Sequence, residues 1–342
     1  MQRKEHKATE YLLKRHWPEW NGTIQQRAGG WNNTTFFVEN GTKRAVLRIY
    51  NTHRDKDKIE FEHAILRELG QLPLSFQVPM PIPTESGVTL ALTEEGKYAC
   101  LFKYIAGESP AAEDSGYAFS FGEAAGEMSA ALAAVNTQLL PVYRPYYELQ
   151  HAYPLCSRDS IRELCQHPPE PLRELQPELN VLLETYEDIV DSLSELEQLP
   201  HQLVHGDLNA SNLLVQRGDP GQVAALLDFE FCTRDVRAME PAVILSGFLG
   251  EAGEEEKVKG FCRGYSRRVC LAEAEIAAFP TLMKLRRVDV FLHFVSRFLE
   301  GTDESEVLCE QVKLLSADIR QLSARSLEMQ EEMRQAMMEE RK

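Results

Sequence analysis

Three oxygen-bearing side chains near position 210 are the residues of this sequence best suited to chemistry. Asp207 lies in a polar loop, Asn212 follows five residues later, and Asp228 follows a second apolar run. Transfer of a phosphoryl group from ATP needs a carboxylate that orients the hydroxyl nucleophile, and hard oxygen ligands for magnesium. We therefore predict that Asp207 is the catalytic carboxylate and that Asn212 and Asp228 bind Mg²⁺.

The surrounding sequence predicts how these side chains are positioned. Two apolar runs, 213–215 and 223–227, flank the polar turn 216–221, a pattern typical of a β-hairpin. Asn212 would then stand where the chain enters the hairpin, and Asp228 where the chain leaves it.

The alternative is a polar loop that only caps a hairpin, with His205 making local hydrogen bonds. The context argues against this alternative, because an apolar pair precedes the loop, Gly206 lies inside it, and an Asp-Phe pair follows the second strand. A kinase catalytic loop requires each of these features.

The stretch from His205 to Asn212, together with residues 227–230, resembles the catalytic core of the aminoglycoside phosphotransferase family, which includes choline kinases and homoserine kinases of the second type. The resemblance extends over roughly residues 24–245 and implies an α+β, two-lobed, protein-kinase-like fold. We expect a small N-terminal antiparallel sheet lobe that binds the nucleotide over 1–105, and a larger, mainly helical catalytic and substrate-binding lobe over 106–342. The implied cofactors are ATP and Mg²⁺.

A glycine pair between two predicted strands is a candidate phosphate-covering loop. Gly29 and Gly30 allow the backbone to approach phosphate oxygens closely, and Asn32, Asn33 and Thr34 offer hydrogen-bond donors. An ordinary hairpin also accounts for a Gly-Gly turn, but the position upstream of the catalytic loop resembles the glycine loop of the family.

A strand and a helix of the same lobe predict an ion pair. Arg48 lies in the predicted strand 44–50, at the position where the kinase pattern has a lysine that contacts phosphates. In the predicted helix 56–69, the helical period places Glu62 in the middle of an apolar stripe, where a carboxylate needs a partner. We predict that Arg48 is this partner; the alternative is that Glu62 reaches solvent at a loosely packed edge.

The strand that ends the predicted lobe supplies the last nucleotide contacts. The resemblance implies that backbone groups of residues 102–105, including those of Lys103 and Ile105, face the adenine ring.

Composition restricts the class of partner and the compartment. A net charge of −16 disfavours nucleic-acid backbones and anionic membrane surfaces. The seven cysteines contain no C-x-x-C pair, which favours reduced thiols and a cytoplasmic location over a disulfide framework or a zinc site. No apolar run is long enough for a membrane span. The sequence leaves the oligomeric state open.

The main hypothesis is therefore an ATP-dependent, magnesium-requiring kinase that phosphorylates a hydroxyl of a small molecule. The alternative is a nucleotide-binding pseudokinase with a regulatory or assembly role. The acceptor stays open between an aminoglycoside, an amino alcohol such as homoserine or choline, and a sugar.

Acidic residues that follow Asp228 bear on the acceptor, because the family binds it beside this segment. Two or more of these carboxylates in the cleft would favour an amine-bearing alcohol; otherwise they lie on solvated helix faces. The residues are Glu230, Asp235, Glu240, Glu251, Glu254, Glu255 and Glu256.

Helical patterns fill the remaining sequence. We expect residues 326–342 to form a solvated, fraying end, with pairing to a partner helix as the alternative. The predicted helices of this part span 117–135, 178–196, 241–249, 254–268, 273–301 and 304–340.

Overall fold

A computed structural model describes residues 2–27, 33–51 and 55–340. The chain clusters into two compact units. The first unit comprises Met1–Gly107, Val135–Val142 and Ala224–Glu230, and the second comprises Glu108–Ala134, Tyr143–Val223 and Phe231–Lys342.

The strands of the described residues are β1 (Thr23–Arg27), β2 (Asn33–Asn40), β3 (Lys43–Tyr50), β4 (Pro81–Ile82), β5 (Ala91–Leu92), β6 (Tyr98–Lys103), β7 (His201–Val204), β8 (Leu213–Gln216), β9 (Asp219–Leu226) and β10 (Thr233–Val236). The helices are α1 (Gln2–His16), α2 (Lys56–Leu69), α3 (Ala118–Ala134), α4 (Leu149–Ala152), α5 (Arg158–Gln166), α6 (Gln176–Leu196), α7 (Met239–Gly247), α8 (Glu254–Ser266), α9 (Glu273–Ala277), α10 (Phe279–Leu299) and α11 (Ser305–Glu339).

An antiparallel sheet forms the centre of the first unit. Its strand order is β1-β2-β3-β6-β4, with β5 also paired to β6. Alternating apolar residues of β2 and β3 bury one face against α1, whose Leu12 and Leu13 belong to the same core cluster. In the register of the sheet, Arg48 of β3 lies opposite Cys100 of β6. This fixes Arg48 in the middle of the sheet, on a strand with neighbours on both sides.

Helix α2 occupies the predicted bounds. The side chain of Asp55 accepts a hydrogen bond from the backbone N–H of Asp57 and caps the first turn, and Gly70 follows the last residue. The apolar stripe of the helix is buried, so its central residue Glu62 is carried into the interior.

The first unit also receives the end of the catalytic hairpin. Strands β8 and β9 pair as predicted, but β9 begins at Asp219, inside the segment 216–221 that was predicted to be a turn. The last part of β9 exchanges backbone hydrogen bonds with Gln77, which donates to Ala224 O and accepts from Leu226 N. Asp228 is therefore held beside the sheet that carries Arg48.

Helices dominate the second unit. The backbones of helix α3 and helix α8 pack directly against each other, because glycines lie where the two helices meet. A Cβ atom on Gly122 would lie 2.2 Å from Phe261 O, and one on Gly264 would lie 2.0 Å from Phe119 O. Larger residues would push the two helices apart, so the small residues of α3 pack closely as expected.

Two helical predictions need correction. The helix predicted over 273–301 is divided into α9 and α10, and Pro280 occupies the first turn of α10, where its missing N–H costs little. The end of α11 is not a solvated, fraying segment. Its residues Met329, Met333 and Met337 are buried, and Gln330 Nε2 donates to the carbonyl oxygens of the last two residues of α9.

An antiparallel sheet in the N-terminal region and a mainly helical remainder agree with the predicted fold class. The assignment of a nucleotide-binding lobe to 1–105 and a catalytic lobe to 106–342 stays a prediction. No helix within the described residues combines the length and the apolar character needed to cross a bilayer.

Candidate active site

The first unit brings Arg48 and Glu62 together. Arg48 Nη1 lies 3.2 Å from Glu62 Oε1, and the hydroxyl of Tyr50 donates to Glu62 Oε2 at 3.0 Å. The predicted strand-to-helix ion pair is confirmed. The alternative that Glu62 reaches solvent is wrong, since only 2% of this residue is exposed.

Arg48 also contacts Asp228. The same Nη1 atom lies 3.1 Å from Asp228 Oδ1. One guanidinium therefore neutralises a buried carboxylate on a helix and a second carboxylate at the end of β9. Burial alone would lower the pKa of Arg48, but the surrounding negative groups, Asp228 first among them, raise it above its ordinary value.

Sharing one cation leaves Glu62 poorly neutralised. Burial raises the pKa of Glu62 to about 7, against which the charge of Arg48 acts, and the negative charge of Asp228 adds to the increase. The carboxyl group of Glu62 consequently titrates near neutral pH.

Asp228 has an unusual backbone conformation. Its φ is +69°, and no other non-glycine residue in the described parts of the chain has a positive φ. Aspartate tolerates the left-handed region better than most residues. Strained residues cluster at functional sites, so this backbone supports a functional role for the Asp228 carboxylate.

The described part of the glycine loop begins at Asn33. Asn33 Nδ2 donates to Glu230 Oε2 at 2.9 Å, and Thr34 Oγ1 accepts from Asn51 Nδ2 at 2.8 Å. The predicted phosphate-contacting residues Gly29, Gly30 and Asn32 lie outside the described residues. The roles of Asn33 and Thr34 toward a nucleotide stay predictions.

Lys103 ends strand β6, and Ile105 follows two residues later. The backbone N–H of Lys103 donates to Met80 O at 2.9 Å, and Ile105 is buried. The Lys103 N–H is thus used within the sheet, and the contact of this segment with adenine stays a prediction.

The second unit builds the catalytic loop around Asp207. Its carbonyl oxygen accepts from Asn209 Nδ2 at 3.0 Å and from Asn212 Nδ2 at 2.9 Å. Because the Asn212 amide nitrogen is used in this way, its carboxamide oxygen is the atom suited to a metal ion. The predicted proximity of Asp207 and Asn212 is confirmed.

Close packing and hydrogen bonds fix the backbone of this loop. Gly206 has a φ of +85°, and a Cβ atom there would lie 2.5 Å from Phe231 O. The hydroxyl of Tyr146 donates to Gly206 O at 2.6 Å, and the backbone N–H of His205 donates to the buried Glu240. His205 and Gly206 therefore serve the conformation of the loop.

Sequence reasoning missed the residue that contacts the Asp207 carboxylate. Arg286 of α10 places Nη2 2.7 Å from Asp207 Oδ1. Arg286 Nη1 lies 3.4 Å from Asp289 Oδ2, and the hydroxyl of Tyr153 donates to Asp289 Oδ1 at 2.9 Å. The only available signal was an arginine pair within an otherwise apolar helical stripe.

A cavity of about 310 Å³ opens beside Asp207. Its walls carry two acidic residues, Asp207 and Glu251, and two arginines, Arg286 and Arg287. The remaining lining residues are Asn209, Ala210, Ser211, Val243, Ile244, Ser246, Gly247 and Phe248.

The acidic residues after Asp228 are divided among several environments. Glu251 lines the cavity, whereas Glu240 and Asp235 are buried in hydrogen bonds to the backbone. Burial raises the pKa of Asp235 to about 7. Glu254 pairs with Arg325. These carboxylates therefore do not line one strongly negative cleft, and they do not all lie on solvated helix faces.

The donor chemistry fits magnesium. Asp228 offers a carboxylate and Asn212 a carboxamide oxygen, which are hard oxygen ligands. Among the described residues, no group of three His, Cys, Asp or Glu side chains could hold a metal ion. Magnesium is commonly bound by one or two carboxylates together with substrate phosphates and water. The binding of Mg²⁺ by Asn212 and Asp228 stays a prediction.

Curated relatives of similar length are homoserine kinases. The homoserine kinase of Methylobacillus glycogenes is 26% identical over 275 residues, which cover 79% of this chain and 78% of that one. The homoserine kinase of Rhizobium etli (strain CIAT 652) is 25% identical over 273 residues, covering 78% and 77%. The pseudokinase alternative receives no support from these relatives.

Solved structures share the fold. A microcompartment-associated aminopropanol kinase superposes with a TM-score of 0.73 at 18% identity, over 95% of this chain and 98% of that one. A spectinomycin phosphotransferase in complex with ADP and spectinomycin gives 0.66 at 14% identity, over 95% and 98%. The predicted protein-kinase-like fold class is confirmed.

The sequence model of the phosphotransferase enzyme family matches residues 23–279, well over half of the chain. The chain therefore belongs to this phosphotransferase family, and it is a small-molecule kinase.

Proposed function

We propose that this enzyme transfers the γ-phosphoryl group of ATP, with Mg²⁺, to the hydroxyl of a small amine-bearing alcohol of the homoserine type. The observation that carries the proposal is the cavity beside Asp207, which is small and is lined by side chains of both charges. The homoserine kinases among the relatives support the same acceptor class.

The size of the cavity favours a small acceptor. Its volume of about 310 Å³ is at the lower end of the range for ligand pockets. An aminoglycoside with several rings needs more space than a four-carbon amino alcohol, so the volume argues for the smaller compound.

The charges of the cavity favour an acceptor that carries both an ammonium and a carboxylate group. Glu251 is suited to an ammonium group, and Arg287 to a carboxylate. Both are already engaged, Glu251 with Lys257 at 2.7 Å and Arg287 with Asp318 at 3.2 Å. These partners hold the two side chains in place, so an acceptor meets preorganised groups.

Four of the predicted site residues have distinct roles in this reaction. Asp207 orients the acceptor hydroxyl and accepts its proton as the new O–P bond forms. Arg48 neutralises phosphate oxygens of the nucleotide, and Asn212 and Asp228 would hold the metal. When bound, Mg²⁺ supplies positive charge to the phosphates.

Acceptors that each lack one group of homoserine test the proposal. We expect acceptor-dependent ADP release with L-homoserine in the presence of ATP and Mg²⁺. Removing the amine, as in γ-hydroxybutyrate, should lower kcat/KM at least about tenfold, since the acceptor then has no ammonium group to bind Glu251. Removing the carboxylate, as in 3-aminopropanol, should have a similar effect.

Two outcomes would overturn this acceptor class. One is equal turnover of γ-hydroxybutyrate and homoserine. The other is efficient phosphorylation of a multi-ring aminoglycoside such as spectinomycin without turnover of any small amino alcohol.

A further inference from the structure

The catalytic loop and α10 meet in a partly buried ion pair. Arg286 lies 79 residues after Asp207, and its Nη2 atom is 2.7 Å from Asp207 Oδ1. Both side chains are partly exposed and both line the cavity. The contact therefore belongs to the wall where the acceptor hydroxyl must bind if the proposed function holds.

The carbonyl and the carboxylate of Asp207 are held by different groups. Asn209 and Asn212 bind the carbonyl oxygen, which fixes the backbone of the loop. These two bonds do not restrict rotation of the Asp207 side chain. The contact with Arg286 does, because it uses Oδ1 and leaves Oδ2 to accept the acceptor hydroxyl.

Arg286 is itself held by other groups. Asp289, one turn further along α10, lies 3.4 Å from Nη1 of Arg286. The hydroxyl of Tyr153 fixes Asp289 with a hydrogen bond of 2.9 Å. The guanidinium lies 5.8 Å from the ring centre of Tyr146, whose hydroxyl binds the loop at Gly206 O. The guanidinium is therefore anchored independently of Asp207.

A salt bridge that only stabilises the fold need not line the cavity. Arg297 of α10 forms such a pair with Asp303, which follows the end of the helix, through Nε and Nη2, both at 2.6 Å. Neither residue of that pair lines the cavity. Breaking a partly buried pair costs stability in both places, so a loss of turnover confined to Arg286 separates positioning from stability.

We propose that Arg286 is a positioning residue for the phosphoryl transfer proposed above, and that it holds Oδ1 of Asp207 so that Oδ2 faces the acceptor hydroxyl. In the reaction the hydroxyl proton passes to Oδ2 while the acceptor oxygen bonds to the γ-phosphorus. The bond from the γ-phosphorus to its bridging oxygen breaks, and ADP leaves with that electron pair. Arg286 stays protonated throughout.

The test compares Arg286→Gln, Arg286→Lys and Arg286→Ala with the control Arg297→Gln. We expect Arg286→Gln to lower kcat roughly a hundredfold, as expected for a misplaced catalytic group, while the KM for ATP changes less than about threefold. Arg286→Lys should recover part of the loss. Added guanidinium should raise the kcat of Arg286→Ala at least about fivefold, because it fills the vacated position. Arg297→Gln should keep the parental kcat.

A kcat of Arg286→Gln within about threefold of the parent would overturn the proposal. If Arg286→Gln does not fold, Arg286→Lys decides: a kcat loss of at least about fivefold at parental ATP affinity supports positioning, and an unchanged kcat overturns it. Absence of guanidinium rescue in a folded Arg286→Ala also overturns it. Failure of the proposed function has a different signature, because the parent enzyme itself would then show no acceptor-dependent ADP release.

Discussion

Arg48 neutralises two carboxylates, and under the proposed function it also meets the phosphates of the nucleotide. Its Nη1 atom lies within 3.2 Å of both Glu62 and Asp228. A magnesium ion on Asp228 and a phosphate near Arg48 would replace the direct contact between these residues with contacts to the cofactor. Arg48 can stay paired with Glu62 during this exchange, because its guanidinium group has several N–H donors.

The pair of Arg48 and Glu62 should behave as one unit. Neutralising Arg48 leaves Glu62 buried without its cation, and neutralising Glu62 leaves Arg48 paired with Asp228 alone. We expect Arg48→Gln and Glu62→Gln each to weaken ATP binding nearly as much as the double variant, which gives a coupling free energy of about 1 kcal/mol or more. A double-mutant cycle of ATP affinity measures this coupling, and simple additivity would contradict it.

The titration of Glu62 predicts a pH dependence of stability. Its folded pKa of about 7 exceeds the ordinary 4.5, so the folded state binds more protons than the unfolded state between these values. The contribution is fully present below about pH 4.5 and is lost as pH rises through 7, a difference of about 3 kcal/mol.

The variant Glu62→Gln removes this titration. We expect its free energy of unfolding to fall less than that of the parent between pH 4.5 and 7. Denaturant unfolding at several pH values gives the comparison, and parallel curves for parent and variant would contradict a raised pKa of Glu62.

At the scale of elements, the periodicity of apolar residues predicted those features that depend on the local sequence. The bounds of α2 and the pairing of β8 with β9 follow from apolar spacing, a capping residue and a turn, although the turn is shorter than predicted. The same spacing placed Glu62 opposite Arg48. The contact of Arg286 with Asp207 could not be predicted, because it depends on how α10 packs against a loop 79 residues earlier.

For the end of α11, the prediction gave too much weight to the charged residues and too little to the periodic apolar residues. Met329, Met333 and Met337 recur every fourth residue, which forms a stripe on one helix face. The charged residues between them suggested a solvated segment. The stripe was the better indicator, since it packs against other helices of the second unit.

Two methionines of this helix make a matched test. Met333 is fully buried, whereas Met338 is 51% exposed. We expect Met333→Ala to lower the free energy of unfolding by about 2–4 kcal/mol, and Met338→Ala to change it by less than about 0.5 kcal/mol. Chemical denaturation of both variants provides the measurement. Equal effects would mean that the end of α11 does not pack as described.

At the scale of the whole molecule, the chain distributes the chemistry over two compact units. The first unit contains Arg48, Glu62 and Asp228, the groups suited to phosphate and metal. The second contains Asp207 and Asn212, together with the cavity suited to the acceptor. Asp228 joins the first unit because the end of β9 bonds to Gln77, an association that only tertiary structure reveals.

The family motif predicted the reaction class better than the acceptor. The residues from His205 to Asn212 identify phosphoryl transfer, since each has a required place in the loop. The acceptor depends on which side chains reach the cavity, and Glu251, Arg286 and Arg287 come from segments that carry no motif. Only their assembly in the folded chain suggests an acceptor with both charges.

Phosphorus NMR of a reaction mixture tests the central claim most directly. With ATP, Mg²⁺ and L-homoserine, we expect a phosphomonoester resonance to grow in proportion to ADP. Asp207→Asn should abolish this resonance and leave the ATP dissociation constant within about threefold of the parent, because Asp207 orients the acceptor hydroxyl and does not hold the nucleotide. Formation of ADP and inorganic phosphate alone across the small amino alcohols, or an unchanged rate in Asp207→Asn, would contradict the account.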